Sequence, residues 1–197
     1  MKRAPLLVLG AGGHAMACID VLEAEGKYQV RGFLGAPGEE GKKILGYPVL
    51  GTDEVLAHHL RDCPNVLIGV GQIKSASLRE SLFGKARALG AKFPIIRSPF
   101  ARVSQHACLG EGTIAMHGVT IQPGVRVGQN CILNSHCLLE HGVEISDHCH
   151  VSTGAILNGG VRIGRGCFIG SRAVLQEGVE VPDGSVVPMG EILRRIR

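Results

Sequence analysis

From Val103 to Val187 every sixth residue of the chain is apolar: Leu109, Ala115, Ile121, Val127, Leu133, Leu139, Ile145, Val151, Leu157, Ile163, Ile169, Leu175 and Val181 fill the steps between them. The residue four places after each is small or β-branched, as at Thr113, Val119, Cys131, Cys137, Cys149, Ala155, Val161, Cys167 and Ala173. A period of six fits neither the 3.6 of a helix nor the simple alternation of a strand. It predicts a triangular coil with three short flat sides, stacked into a solenoid whose repeats bury their apolar faces only against one another. Ahead of this stretch the pattern changes to apolar runs separated by amphipathic segments. Strands are expected at 5–9, 29–34 and 66–70, with helices at about 15–25, from the Thr52-Asp53-Glu54 cap onward, and at 75–89. Strands alternating with helices imply a parallel sheet. Two domains follow, an α/β unit at 1–97 and a solenoid at 98–197, with 95–99 as the linker.

The hexads read aliphatic, then often Gly, Asn or Ser, with a small residue in fifth place, most plainly at Leu109-Gly110, Val127-Gly128, Ile163-Gly164 and Ile169-Gly170. This pattern resembles the hexapeptide repeat of left-handed parallel β-helix proteins. The resemblance implies three hexads per coil, so residues 18 apart should stack at about 4.8 Å.

Composition adds little that is unusual. At 197 residues, 45% hydrophobic and 19% charged, the chain can build one or two cores, and its 29 glycines suit tight corners. A net charge of +4 permits an anionic ligand, but no cluster of Lys and Arg marks a nucleic-acid footprint. The N-terminal Leu6-Leu7-Val8-Leu9 run is too short and too glycine-broken for a signal peptide, and no stretch has the length of a membrane span. A cytoplasmic protein is expected. The seven cysteines show no regular disulfide spacing, and the four at the small interior place of a hexad, Cys131, Cys137, Cys149 and Cys167, read as core thiols in a reducing compartment.

Gly10-x-Gly12-x-x-Ala15, between a strand and a helix, has the form of a diphosphate-binding turn. A nucleotide-sugar diphosphate, NAD or NADP, and a purely structural tight turn all fit it. The acidic residue that usually ends the second strand and holds the ribose is replaced by Gly35-Ala36, which counts against NAD.

The whole chain resembles the bacterial sugar acyltransferases that acetylate UDP-linked 4-amino sugars or sialic-acid-type sugars. The most specific segments are Ile132-Leu133-Asn134-Ser135, Leu139-Glu140-His141 and His150-Val151-Ser152-Thr153-Gly154-Ala155. The resemblance implies that His141 is the general base. It implies that Gly12, Gly13, His14, Gly71, Gln72 and Asn134 bind the UDP-sugar, and that His150, Gly159 and Ser171 bind acetyl-CoA. Gly159 stands one coil beyond His141 and beside Gly160, a side-chain-free shelf for a thioester arm. Acetyl-CoA is the acyl donor, no metal is needed because the thioester is already activated, and a homotrimer is implied. N-acetylation is the first reading and O-acetylation of a sialic-type sugar the alternative.

The chain departs from the family pattern in three places. Gly142 stands where some members have a Glu that supports the catalytic His, and Gly35-Ala36 replaces acids of the nucleotide site. The sequence closes without a Gly-x-Pro-Ala segment and with Met189 where Gly is common, and its last residues, 191–197, read as a short basic helix. Two rival readings are a γ-carbonic-anhydrase-like zinc enzyme, from the His136-x-x-x-x-His141 spacing, and a non-catalytic binding module. The zinc set lacks a third ligand, since Phe100 and Gly118 occupy the stacked positions. His58, His59, His106, His117 and His148 read as solvated surface residues.

Overall fold

The computed structural model describes residues 3–194. It opens with β1 (Ala4–Leu9), α1 (Gly13–Glu25), β2 (Tyr28–Leu34), β3 (Lys43–Ile44) and β4 (Tyr47–Gly51). A 3-10 turn (Asp53–Val55) capped by Thr52, α2 (Leu56–His59), β5 (Asn65–Ile68) and α3 (Ser77–Ala88) follow. The helix read from the Thr52 cap is thus a single 3-10 turn and one α-helical turn. The sheet order is β3-β4-β2-β1-β5, parallel except for the β3–β4 pair. Because the chain leaves β1 for β2 on one side and returns as β5 on the other, the carboxyl ends of β1 and β5 form a topological switch point.

From residue 96 onward the hexads fold as their period requires. Two-residue strands pair in parallel with strands 18 residues away, Thr120 with Leu138 and Leu138 with Ile156, giving a left-handed β-helix of three flat sheets. The hexad aliphatics point inward, and Leu133, Leu139, Val151, Leu157, Ile169 and Leu175 are wholly buried. Each coil turns through a left-handed corner one residue in six. Glycine takes it at most corners, with φ near 69° at Gly142, while Asn130, His136, His148 and Arg172 accept it at 52–60°.

The outward residues give the three faces different characters. One face carries Ile96, Ile114, Ile132, His150 and Phe168 and is covered by the chain's own α/β unit, with α1 packed on it through Ala15, Cys18, Ile19 and Leu22 in one continuous core. A second face presents Thr120, Leu138, Ile156, Val174 and Ile192. The third presents Arg126, Glu144, Arg162 and Glu180, alternating in sign along the stack.

Two expectations change here. Ile96–Arg97, read as linker, is the first strand of the covered face and pairs with Ile114–Ala115. Ile192–Leu193, read as part of a basic tail helix, is a strand paired with Val174–Leu175, because the hexad spacing continues to Leu193. Residues 195–197 of that expected helix lie outside the described residues.

Candidate active site

The glycine loop is built as its sequence suggests. Gly10 has φ 103°, and a Cβ there would collide with Val70, so the strand can turn sharply only without a side chain. Gly12 is the N-cap of α1, with no side-chain cap and no acidic residue in the first turn. The first N–H groups of α1 are therefore open to an anion, and the helix dipole favours one.

Beside this loop a cavity of about 440 Å³ is lined by His14, Ala17, Gly71, Gln72, Ile73, Asn134 and His150. The α/β unit and the β-helix meet here. His150 Nδ1–H donates to the Gln72 carbonyl at 2.7 Å, which leaves Nε2 as the acceptor for the Asn134 amide at 3.2 Å. His14 lies 6.2 Å from His150 between ring centroids, and its Nε2 is 3.4 Å from Cys18 Sγ. Gln72 is almost wholly buried; its amide donates to the Gly166 and Cys167 carbonyls, while its Oε1 has no partner. Desolvation lowers the His14 pKa to about 3, with Arg79 and His150 adding to it. Desolvation likewise lowers His150 to about 4, with the Gln72 carbonyl opposing and Arg79 assisting. Both rings are neutral at pH 7 and present fixed donors and acceptors instead of charge.

His141 lies elsewhere on the coil. It is exposed and lines a second cavity, of about 430 Å³, with Gly142, Gly159, Gly160, Gln176, Glu177 and Gly178. Its ring covers Gly159 so closely that a Cβ on that glycine would stand 2.6 Å from Cε1. The space over Gly159, expected to be a free shelf, is thus filled by the His141 ring, with Gly160 beside it, and among the described residues no carboxylate hydrogen-bonds to the imidazole.

The residues read as sites thus fall into three places. His14, Gly71, Gln72, Asn134 and His150 converge in the cavity between the two units; Gly12 and Gly13 precede His14 in the loop, and Gly12 lines a crevice on the loop's other side. His141 and Gly159 share the second cavity, so His150 and Gly159, both read as acetyl-CoA contacts, do not share one. Ser171 bonds Ser152 at 2.9 Å; Ser152 lies one coil beyond Asn134 and Ser171 two coils beyond Ser135.

Of the histidines read as solvated, one is buried and one is partly exposed but engaged. His148 is buried at 3% exposure and bonds Asn130, and His117 bridges Ser98 and Asp20 at 2.6 and 2.8 Å. Sequence reasoning also passed over Arg79. Wholly buried on α3, it donates to the Ile68 and Val70 carbonyls and to both oxygens of Asn130, clamping the carboxyl end of β5 to the β-helix. The one sequence cue is a cation among the buried positions Phe83 and Ala86 of that helix.

A family profile described as the PglD N-terminal domain matches residues 5–86, and one described as the hexapeptide repeat of succinyl-transferase matches 124–158 and 160–195. The structure of PerB from Caulobacter crescentus in complex with CoA and GDP-perosamine is 30% identical, with a TM-score of 0.89 over 98% of this chain and 90% of that one. The chain belongs to the family of bacterial sugar acyltransferases with a left-handed β-helix. The acetyltransferase domain of PglB from Neisseria gonorrhoeae is 28% identical with a TM-score of 0.90, covering 98% of this chain and 92% of that one. Its complex with acetyl coenzyme A is 26% identical with a TM-score of 0.87, over 98% and 93%. No curated protein sequence matches the chain. Among the described residues no helix is long and apolar enough to cross a membrane.

Proposed function

We propose that this chain is an acetyl-CoA-dependent N-acetyltransferase that acts on the amino group of a nucleotide-linked amino sugar, with His141 as general base. The observation that carries the reading is the exposed His141 imidazole, which lies over Gly159 in a cavity otherwise lined by Gly142, Gly160, Gln176, Glu177 and Gly178. A sugar ammonium has no lone pair. His141 takes its proton, the freed amine attacks the thioester carbonyl and forms the C–N bond, and the tetrahedral intermediate then expels the coenzyme A thiolate by breaking C–S. Once His141 has released the first proton to solvent, it takes the second N–H proton from the tetrahedral intermediate and passes it to the departing thiolate as C–S breaks, so the products are amide, free thiol and one proton in solution. A positioned imidazole supplies about 10²–10⁴ in rate.

The cavity between the two units suits the acceptor. Its diphosphate would lie on the open N–H groups of α1 near Gly12, Gly13 and His14, and its sugar would face Asn134, with Gly71 and Gln72 as the wall. The sequence reading gave the nucleotide as UDP, whereas the Caulobacter relative was solved with GDP-perosamine, so both nucleotides belong in the test. N-transfer is favoured over O-transfer because that ligand carries an amino sugar. The second face of the β-helix, with Leu138, Ile156 and Val174 outward, gives a homotrimer its apolar contact, and His141 lies at the edge of that face.

The test is thiol release from acetyl-CoA with UDP- and GDP-linked 4-amino sugars and with free sialic-type sugars. Turnover of an amino sugar that falls at least about 10²-fold in His141→Ala supports the reading. Turnover of the free acidic sugars alone, or equal rates for variant and wild type, overturns it.

A further inference from the structure

The switch-point crevice on the other side of the glycine loop is a third cavity of about 440 Å³, whose lining includes Gly12, Gly35, Ala36, Glu39 and Asp53. Ligands of open α/β sheets bind at this place, outside the carboxyl ends of the strands. The acid that would hold a ribose at the end of β2 is missing from the sequence, where Gly35-Ala36 stands. In space it is not missing. The loop after β2 folds back so that Glu39 Oε2 accepts the Ala36 N–H at 2.8 Å, and a Cβ built on Gly35 would lie 2.6 Å from that same oxygen. The Glu39 carboxylate therefore occupies the space in which a side chain at position 35 would begin.

Its surroundings leave it free to bind. The neighbouring Asp53 is engaged by Lys85 at 2.7 Å, whereas Glu39 has no ion-pair partner among the described residues. Leu34, Val70, Leu78 and Leu82 line the rest of the crevice, and Leu78 is 58% exposed although it is a large aliphatic residue. An apolar slot for a flat base, a carboxylate beside it and the α1 amino terminus at its rim form the outline of a nucleoside diphosphate.

We propose that Glu39 is the residue that recognises the ribose of the nucleotide, its carboxylate accepting hydrogen bonds from the 2′- and 3′-hydroxyls. This rests on the nucleotide-sugar reading above. A hydrogen bond to a charged acceptor is stronger than a neutral one, and two can form on one carboxylate.

The experiment is calorimetric titration of UDP, GDP and their 2′,3′-dideoxy analogues into wild type and Glu39→Gln. The glutamine keeps an oxygen for the Ala36 N–H, so the loop closure survives while the charge is lost. Ribonucleotide affinity should fall about 10- to 100-fold in the variant. The dideoxy analogues should bind wild type with a comparable loss, and the variant should no longer separate the two series. Equal weakening of ribo and dideoxy ligands would make Glu39 a loop staple or a contact to the base, and unchanged affinities would remove it altogether; either result overturns the proposal. Failure of wild type to bind any nucleotide overturns this proposal together with the nucleotide-sugar reading, whereas tight binding unaffected by the substitution overturns this one alone.

Discussion

Gly159→Ala separates the position of the His141 ring from its presence. The new methyl carbon would start 2.6 Å from Cε1 and 2.8 Å from Nε2. Ordinary contact is about 3.5–4.0 Å, so the imidazole has to retreat by about 1 Å. Gly159 is not at a left-handed corner, unlike Gly160 with φ 65°, so alanine fits its backbone. His141 is exposed and can move without disturbing the core. Stability should therefore change by no more than about 0.5 kcal/mol, while a misplacement of that size should lower kcat/KM about 10²-fold, or about 2.7 kcal/mol of transition-state stabilisation. Thiol release with a nucleotide-linked 4-amino sugar, run beside a thermal melt, reads both quantities. The same substitution in a His141→Ala background should change little, since the ring it displaces is already absent. A full rate in Gly159→Ala refutes the geometry. An equal further loss in the His141→Ala background would show that the methyl obstructs the donor rather than the base.

Other perturbations test the remaining parts. Both His150 and His14 have folded pKa values below the ordinary 6.5, at about 4 and about 3, so between those values and 6.5 the unfolded chain binds more protons and stability falls as pH falls. His150, 6% exposed, accounts for up to about 2 kcal/mol between pH 6.5 and 5; a urea midpoint that stays flat from pH 7 to 5 in wild type, or an unchanged slope in His150→Asn, contradicts this. Arg79→Ala leaves the Ile68, Val70 and Asn130 oxygens without their donor and should destabilise by about 3 kcal/mol, with Tm lower by roughly 6–12 °C; an unchanged melt would mean the clamp contributes nothing. Asn134→Leu should raise KM for the amino sugar with little change in KM for acetyl-CoA, and the reverse pattern would move Asn134 to the donor site.

The β-helix was legible because its period is set by a geometric repeat: one inward aliphatic and one left-handed corner per hexad leave the same trace from Val103 to Val187. The loop glycines and the strand–helix alternation were legible for a similar reason, each being a local backbone requirement. What the sequence did not disclose depends on contacts between distant segments. Arg79 and Asn130 are 51 residues apart and meet only when α3 docks on the β-helix. Glu39 does not occupy the position at which an acid is sought, and only the fold of its loop brings its carboxylate over Gly35. His148 became buried for the same reason, since its corner lies under Phe83 of α3, with ring centroids 5.5 Å apart.

The spacing of the two histidines also bears on assembly. Residues 18 apart stack on one another, so the nine-position separation of His141 and His150 is half a coil, which carries one ring to the exposed cavity over Gly159 and the other to the cavity under the α/β unit. An acceptor held beside Asn134 and His150 of one chain is therefore on the far side of the coil from that chain's own His141. The reaction needs the amine within about 3–3.5 Å of the thioester carbon, with the base in hydrogen-bond reach. If both cavities serve the reaction, a second copy must bring its His141 to the first copy's acceptor, and the apolar Leu138–Ile156–Val174 face beside His141 is the surface on which such a copy can pack. Ile156→Glu should then yield a folded monomer with an unchanged far-UV spectrum and almost no turnover. Mixing it with His141→Ala would restore no activity, because the charged face still prevents assembly. A fully active monomer would require the acceptor to bind over Gly159 instead, and would break the link between the two cavities.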